Sequence, residues 1–586
     1  MASTITVAER GQARVPLILQ EEATDSERHA VVELAHHLQK ITGARFETLT
    51  ADTLPPSGIV VGQGKLARLL CPDVDWDKMN PEEVVIRTQG RHLLIAGGRP
   101  RGTLYAVYRF LHTVGGVRWW TPWASEIPQR RTFRVPPQNL REKPAFEYRE
   151  PFWYHAFHPD WAVRNYSNGH HPNLAEKHGG KVVYVGFVHT FYALVPPETY
   201  FEKHPEWYSL IGGKRQWEKA QLCCTNPELR EFLVGRVRQV LQENPQAQII
   251  SISQNDWTGA CECPRCKAVD EREGTPAGSV LEMVNYIAER LEREFPQVAF
   301  DTLAYWYTRK PTRTLRPRPS VIIRLCSIEC SFAEPLEAPI NKAFADDIRG
   351  WSERSQRLYI WDYATNFTNY LSPHPNWYVL APNLRFFHKH GVRGVFEQGS
   401  YQSNGGDMAE LKAWLTAQLM WNPYQDERKL IDEFLRGYYG AAAPHIRRYM
   451  NLLSERARGF HMGCFTDPTK APYLRHEVLV EAERLWERAE RAVEGDPERL
   501  WRVQTSRVWV WYAWLKLWDL LQQQAREANR PWGMPYSKRE LAQMWLQRAT
   551  RPGPEGWEPI VHLNEVWEAD KIYTPQKFYN DLTKNE

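Results

Sequence analysis

Apolar runs of strand length alternate with helix-length amphipathic stretches through the middle of the chain. Runs at 146–154, 182–187, 249–253, 300–305, 321–326, 358–361 and 392–396 are rich in β-branched and aromatic residues, as buried strands are. Between them lie stretches of helical period at 227–241, 279–294, 343–353, 382–390 and 409–419. This alternation predicts a parallel sheet with crossover helices. The expected fold class is therefore α/β, a (β/α)8 TIM-like barrel over residues 136–425 with inserted loops. Seven strands can be placed. The eighth is not assigned, because 206–211 reads equally well as a surface excursion.

Before the barrel, residues 1–135 read as an α/β domain. It has a helical stretch at 26–41, short strands at 58–62 and 92–97, and a glycine-rich loop leading into a helix at 103–113. The proline-rich piece 127–144 reads as the linker. After the barrel, residues 426–586 predict a helical domain with long amphipathic helices at 473–494 and 500–529. The second helix carries Trp501, Trp509, Trp511, Trp514 and Trp518, expected to form a core stripe.

The chemistry is expected at strand ends. Residues 248–266 read QIISISQNDWTGACECPRC: an apolar run breaks into Gln254, Asn255 and Asp256, followed by Trp257. The runs 321–329, 358–362 and 394–398 also reach a carboxylate at or near their ends: Glu329, Asp362 and Glu397. In a parallel barrel, catalytic side chains sit at the C-terminal ends of strands. One such carboxylate alone could simply cap the next helix. Four at successive strand ends predict a shared pocket, and paired carboxylates suit glycosidic bond cleavage, which needs a proton donor and a group to stabilise the oxocarbenium-like centre. Asp256 and Glu329 are the leading pair. The small and apolar neighbours of Glu329 in CSIEC favour a raised pKa and a proton-donor role, whereas the amides and indole around Asp256 favour a charged one. Gln254, Asn255, Trp257, Tyr305, Trp361, Tyr363, Gln398 and Tyr401 are the expected sugar contacts, with His170, His171 and His189 as further hydrogen-bonding groups.

Composition narrows this picture. The 586 residues imply two to four domains. A net charge of +4 without a basic tract argues against nucleic acid or a membrane surface as partner. No apolar run approaches the roughly 20 residues that span a bilayer. The opening residues lack a signal pattern, so the expected compartment is the cytoplasm, or a secreted or periplasmic one if a leader was removed. The 25 tryptophans and 26 tyrosines suit an oligosaccharide or glycan partner, because sugar C–H faces pack on aromatic rings. Nine cysteines, odd in number and clustered, favour a reducing compartment or a metal site. Cys261, Cys263 and Cys266 in CECPRC resemble a zinc knuckle. The fourth ligand is expected from Cys223 or Cys224, with Cys224 preferred. Four thiolates close the coordination sphere, so the zinc would be structural, and catalysis is expected to need no cofactor.

Several motifs carry a resemblance to known families. Residues 98–122, GRPRGTLYAVYRFLHTVGGVRWWTP, resemble the closing segment of the non-catalytic N-terminal domain of family 20 hexosaminidases and family 67 α-glucuronidases. YFEKHPEWYSLIGGKR, QLCCTNPEL, SISQNDWTGACECPRC, TLAYWYTRKP, VIIRLCSIEC, YIWDYATNF and GVFEQGSY resemble the domain-of-unknown-function family grouped with glycoside hydrolase family 163, over roughly residues 98–425. That resemblance implies an endo-β-N-acetylglucosaminidase using retaining, substrate-assisted chemistry at a GlcNAc residue. The more distant similarity to family 67 implies Asp256 as proton donor, with Glu329 and Asp362 activating water. Family 20 places two adjacent acids where this chain has Asn255 and Asp256. Resemblance thus gives the acid role to Asp256, and the local-environment argument gives it to Glu329. Two alternatives accompany this reading. One is an α-glucuronidase-like exo-hydrolase, which would hold its uronate with cations such as Arg324 or Lys310. The other is a non-catalytic carbohydrate-binding barrel.

Overall fold

The computed structural model describes residues 3–584. No helix among them is long and apolar enough to cross a membrane. The seven apolar runs all form strands of one parallel sheet: β1 (Tyr148–Phe152), β2 (Tyr184–Val185), β3 (Ile249–Ser251), β4 (Ala299–Ala304), β5 (Val321–Cys326), β6 (Leu358–Tyr363) and β7 (Val392–Gln398). Their order is β1-β7-β6-β5-β4-β3-β2. The sheet curls into a half-barrel whose edges are β1 and β2, bridged by the Tyr148 and Tyr184 rings at 6.1 Å.

The expected eighth strand is not found among the described residues. β7 pairs directly with β1, from Gly394 opposite Tyr148 to Gln398 opposite Phe152, so no ladder position is left between them. Helix Ala409–Trp421 follows β7 and packs against β1 instead. Residues 206–211 prove to be the excursion: Leu210–Ile211 pairs with Lys214–Arg215 in a hairpin outside the sheet.

The strands are buried on both faces, as parallel strands usually are. Tyr148, Phe152, Tyr184, Ile249, Ala299, Ile322, Tyr359 and Phe396 fill the interior. Ile250, Phe300, Ile323, Leu325, Ile360 and Val395 face the helices. One ion pair lies inside this apolar filling. Arg324 on β5 is 3.2 Å from Asp301 on β4, both almost wholly buried. Its guanidinium carbon lies 4.9, 4.4 and 5.1 Å from the ring centres of Tyr184, Phe187 and Trp361. Attraction to three ring faces offsets part of the cost of burying the charge.

The N-terminal domain is a six-stranded sheet with helices Asp25–Thr42 and Gly102–Phe110 on one face. Thr24 and Glu27 form a capping box at the first helix, which ends at Gly43 with φ +75°. Gly98 marks a close chain approach, since a Cβ there would meet Asn80 O at 1.9 Å. Much of the stretch read as linker is sheet. Phe133–Val135 pairs with Ile5–Glu9, and Asn139–Glu142 pairs with Val84–Gln89. The barrel joins this domain through a buried network: Glu82 accepts from Arg101 and from Arg149 of β1, each at 2.6 Å.

The C-terminal region is helical. Trp509, Trp511 and Trp514 on helix Pro497–Lys516 are buried, and Trp511 is flanked by Arg507 and Arg548. These tryptophans are core filling, and none reaches the cavity described next.

Candidate active site

The C-terminal ends of the strands open into a cavity of about 710 Å³. The alternation of side chains along each strand decides which residues line it. On β6, Trp361 and Tyr363 face the cavity and Asp362 points the other way. On β7, Phe396 and Gln398 face it and Glu397 points the other way. Phe152, Phe187, Trp361 and Phe396 form an aromatic floor with mutual ring distances of 4.6–5.6 Å. Arg324 lies beneath this floor, its guanidinium donating to Phe187 O.

Two carboxylates line the cavity: Asp256 and Glu565. Asp256 follows β3 on a loop pinned on both sides. Asn255 Nδ2 and Trp257 Nε1 each donate to Ala220 O, at 3.2 and 2.7 Å, and Gln221 Nε2 donates to Asn255 O and Trp257 O. Its neighbours are thereby spent on Ala220 O and the Gln221 side chain, and Asp256 is left facing the cavity. Its Oδ1 accepts from Tyr305 OH at 3.1 Å and lies 3.6 Å from His189 Nε2. His189 Nδ1 is 2.7 Å from Gln254 O, which fixes the ring. Burial lowers the His189 pKa, against the opposing pull of Gln254 O and Asp256. Burial and the Asp256 charge push the Tyr305 hydroxyl well up, so it stays a donor.

Glu565 escaped the sequence reading. It arrives from the C-terminal region on a strap that crosses the cavity mouth. Glu565 N donates to Phe367 O at 2.7 Å, Tyr370 N donates to Leu563 O at 2.8 Å, and Val566 N donates to Gln402 Oε1 at 3.1 Å. Oε1 of Glu565 accepts from Gln398 Nε2 and Tyr401 OH, both at 3.0 Å. Burial raises its pKa and the Asp256 charge adds to the rise, against those two hydrogen bonds. The only sequence signal was a carboxylate two residues before an aromatic in NEVWEAD, within a polar stretch that lacks any period. Phe465 and Trp567, also from the C-terminal region, join the rim. So does Trp306, which is 41% exposed, stacked on Tyr305 at 5.0 Å and held at φ +51°. A bulky residue in the left-handed region is strained, and such strain concentrates at functional sites.

Of the residues expected here, Asp256, His171, His189, Tyr305, Trp361, Tyr363, Gln398 and Tyr401 line the cavity. His171 Nδ1 lies 2.9 Å from the buried carboxylate of Glu150, a second acid the sequence did not single out. The others are corrected by the geometry. Glu329 does not line the cavity. It pairs with Arg309 at 3.2 Å and is 39% exposed, because its apolar neighbours Ile328 and Cys330 turn inward while its own side chain turns out. The enclosed surroundings expected for it are absent. Asp362 and Glu397 sit side by side on β6 and β7, behind the cavity wall. Burial raises Asp362 to about 6, and burial together with Asp362 raises Glu397 further. Asp362 accepts from Ser327 Oγ. Gln254 is fully buried, its amide bonded to Tyr305 O and Thr308 Oγ1. Asn255 and Trp257 are committed to backbone as described. His170 Nδ1 accepts from Tyr184 N at 3.1 Å, away from the cavity.

The cysteine cluster is also redrawn. Cys223, and not Cys224, meets Cys261, Cys263 and Cys266. Cys224 lies on the turn leading into helix Pro227–Glu243, and its Sγ turns into the barrel core toward Leu222 O.

A family model described as a domain of unknown function (DUF4838) matches residues 119–451, more than half of the sequence. The chain belongs to the DUF4838 family. The matched span holds β1–β7 and Asp256, and Glu565 lies beyond it. No curated protein matches the chain. Among solved structures, the chain is similar to a family GH115 4-O-methyl-α-glucuronidase with specificity for decorated arabinogalactans: TM-score 0.53, 14% identity, covering 96% of this chain and 82% of that one. A GH138 enzyme targeting pectin rhamnogalacturonan II aligns at TM-score 0.45 and 12% identity, over 97% of this chain and 99% of that one. Both neighbours are glycoside hydrolases. At such identities the GH115 likeness is one of fold: this DUF4838 chain has the curled parallel sheet of a TIM-like α/β protein.

Proposed function

We propose that this protein is a glycoside hydrolase acting at a neutral, GlcNAc-type residue of a glycan, with Asp256 and Glu565 as its carboxylate pair. One observation carries the reading. Asp256 and Glu565 are the two acids lining an aromatic-walled cavity of about 710 Å³, and among the described residues no Lys or Arg lines it. Aromatic walls suit the C–H faces of sugar rings. A uronate would want a cation at the wall. Arg324 is covered by the aromatic floor, and Lys310 is not among the lining residues. His189 is held toward its neutral form by burial and is a poor substitute. These points favour a neutral sugar over the glucuronidase reading.

The pair divides its work by environment. Glu565, with its pKa raised, keeps a proton and donates it to the departing glycosidic oxygen as the C1–O bond breaks. Asp256, aligned by Tyr305 OH, accepts the N–H of the 2-acetamido group, whose carbonyl oxygen attacks C1. Water then opens the oxazolinium, returning a proton to Glu565, with net retention. Trp306 and Trp567 extend the aromatic surface outward at the mouth, which suits cleavage within a longer glycan such as the chitobiose core that the sequence motifs suggest.

The test is a panel of labelled N-glycans, aryl N-acetylglucosaminides and aryl glucuronides, run on wild type, Asp256→Asn and Glu565→Gln. The expected result is cleavage only where a 2-acetamido group is present, inhibition by a thiazoline analogue, and loss in both variants. Cleavage of glucuronides alone would overturn the substrate class. A wild type that binds glycans and cleaves none would leave a carbohydrate-binding barrel.

A further inference from the structure

We propose that Cys223, Cys261, Cys263 and Cys266 bind one zinc ion, and that this ion holds in place the loop carrying Asp256. All four Sγ atoms lie within 4.8 Å of one another. Cys223 is 3.6 Å from Cys263 and 3.9 Å from Cys266. A tetrahedron with Zn–S bonds of about 2.3 Å has S–S edges of about 3.8 Å, so the sulfurs already stand at ligand spacing. None is in a disulfide, and all are buried.

The surroundings match thiolates better than thiols. Leu210 N donates to Cys261 Sγ at 3.3 Å and Cys266 N to Cys263 Sγ at 3.5 Å. Thr225 Oγ1 is 3.1 Å from Cys266 Sγ, and Arg215 Nη1 is 3.7 Å from Cys261 Sγ. Cys263 caps helix Pro264–Glu273, so the positive end of that helix faces the cluster. Four thiolates around a divalent ion carry a net charge of −2, and these donors with Arg215 offset it. The set is closed, with no position for water or substrate, which assigns the ion a structural role.

The ligands come from two segments that run side by side. Residues 220–223 lie along 255–261: Gln221 N donates to Gly259 O at 3.1 Å, and Gln221 Oε1 accepts from Asn255 N at 2.9 Å. Cys223 stands at the end of one segment and Cys261 at the end of the other. Metal bonds between them clamp both segments a few residues from Asp256. The metal site stands on the cysteine geometry alone, and only its positioning role rests on the proposed function of Asp256.

Metal analysis of the purified full-length protein should find one zinc per chain. Co2+ exchanged into the site should show the charge-transfer absorption of tetrahedral thiolate ligation. Cys223→Ser should lose the metal and Cys224→Ser should keep it. Should Cys223→Ser fail to fold, chelation of the wild type gives the same comparison. Iron in place of zinc, four freely reacting thiols without metal, or retention of zinc by Cys223→Ser would overturn the site. Hydrogen exchange on the chelated wild type tests the clamp: exchange should quicken at 255–262 while β4–β7 stay protected. Unchanged exchange at 255–262 would overturn the positioning role and leave the metal site standing. Loss of the hydrolase reading would change neither measurement.

Discussion

Glu565→Gln separates a proton from a shape. Oε1 of Glu565 accepts from Gln398 Nε2 and Tyr401 OH at 3.0 Å each. A glutamine carbonyl can accept the same two bonds, so the substitution should cost under about 1 kcal/mol of stability. The lost function is the acidic proton, which burial and the Asp256 charge keep on Glu565 above the usual carboxylate range. General acid catalysis contributes roughly 10²–10⁴-fold, or about 2.7–5.4 kcal/mol. kcat/KM should fall by about that factor on a glycan, whose leaving sugar needs protonation, and far less on an aryl glycoside with an acidic phenol. The pH sign follows. The donor works only while protonated, so wild-type kcat/KM should fall as pH rises through the elevated Glu565 pKa, and that limb should vanish in the variant. The assay is a pH–rate profile on both substrates, with thermal unfolding as the control for folding. A folded Glu565→Gln with kcat/KM within about threefold of wild type on the glycan would refute the reasoning. So would an equal loss on both substrates, or a surviving alkaline limb.

Other expectations follow from buried charge and strained backbone. Arg324→Met leaves Asp301 without its cation in the barrel interior, and should destabilise by about 3–5 kcal/mol in urea titrations; adding Asp301→Asn should recover much of it. Asp362 has its folded pKa raised to about 6, so its contribution is full below the unfolded pKa near 4 and is lost as pH rises from about 4 through 6. Asp362→Asn should therefore flatten the fall in unfolding free energy between pH 4 and 8 by something on the order of 2–3 kcal/mol. Trp306→Gly should relieve the φ +51° backbone by about 1 kcal/mol, seen as a higher melting temperature, while removing a sugar platform and raising KM about three- to tenfold. A lower melting temperature with unchanged KM would mean that Trp306 serves packing alone.

Hydrophobic runs marked all seven strands, because a strand buried on both faces is written as a short block of Val, Ile, Leu and aromatics. The same runs could not show that β7 closes on β1, since pairing partners leave no local pattern. Within the site, strand alternation limits which side chains share a wall. Trp361, Asp362 and Tyr363 lie on one strand, as do Phe396, Glu397 and Gln398, and a period of two forbids all three of either set from facing one cavity. Trp361 and Tyr363 on either side of Asp362, and Phe396 and Gln398 on either side of Glu397, already implied that the acids face outward. Asp256 and Glu329 follow their strands on turns, where that rule ends, and only hydrogen bonds to distant segments decide direction. Ala220 O and Gln221 hold the residues around Asp256 so that it faces the cavity, and Arg309 draws Glu329 away. The second acid of the cavity comes from roughly 300 residues downstream, on a strap with no regular structure of its own. Its place is fixed by backbone bonds to Phe367 and Tyr370 and by the side chains of Gln398 and Tyr401, none of which the periodicity of 557–573 records. The site is thus assembled between the sheet and the C-terminal region. A barrel truncated at residue 425 would keep Asp256 and lose the proposed proton donor, so the cavity wall depends on the helical region as much as the core does.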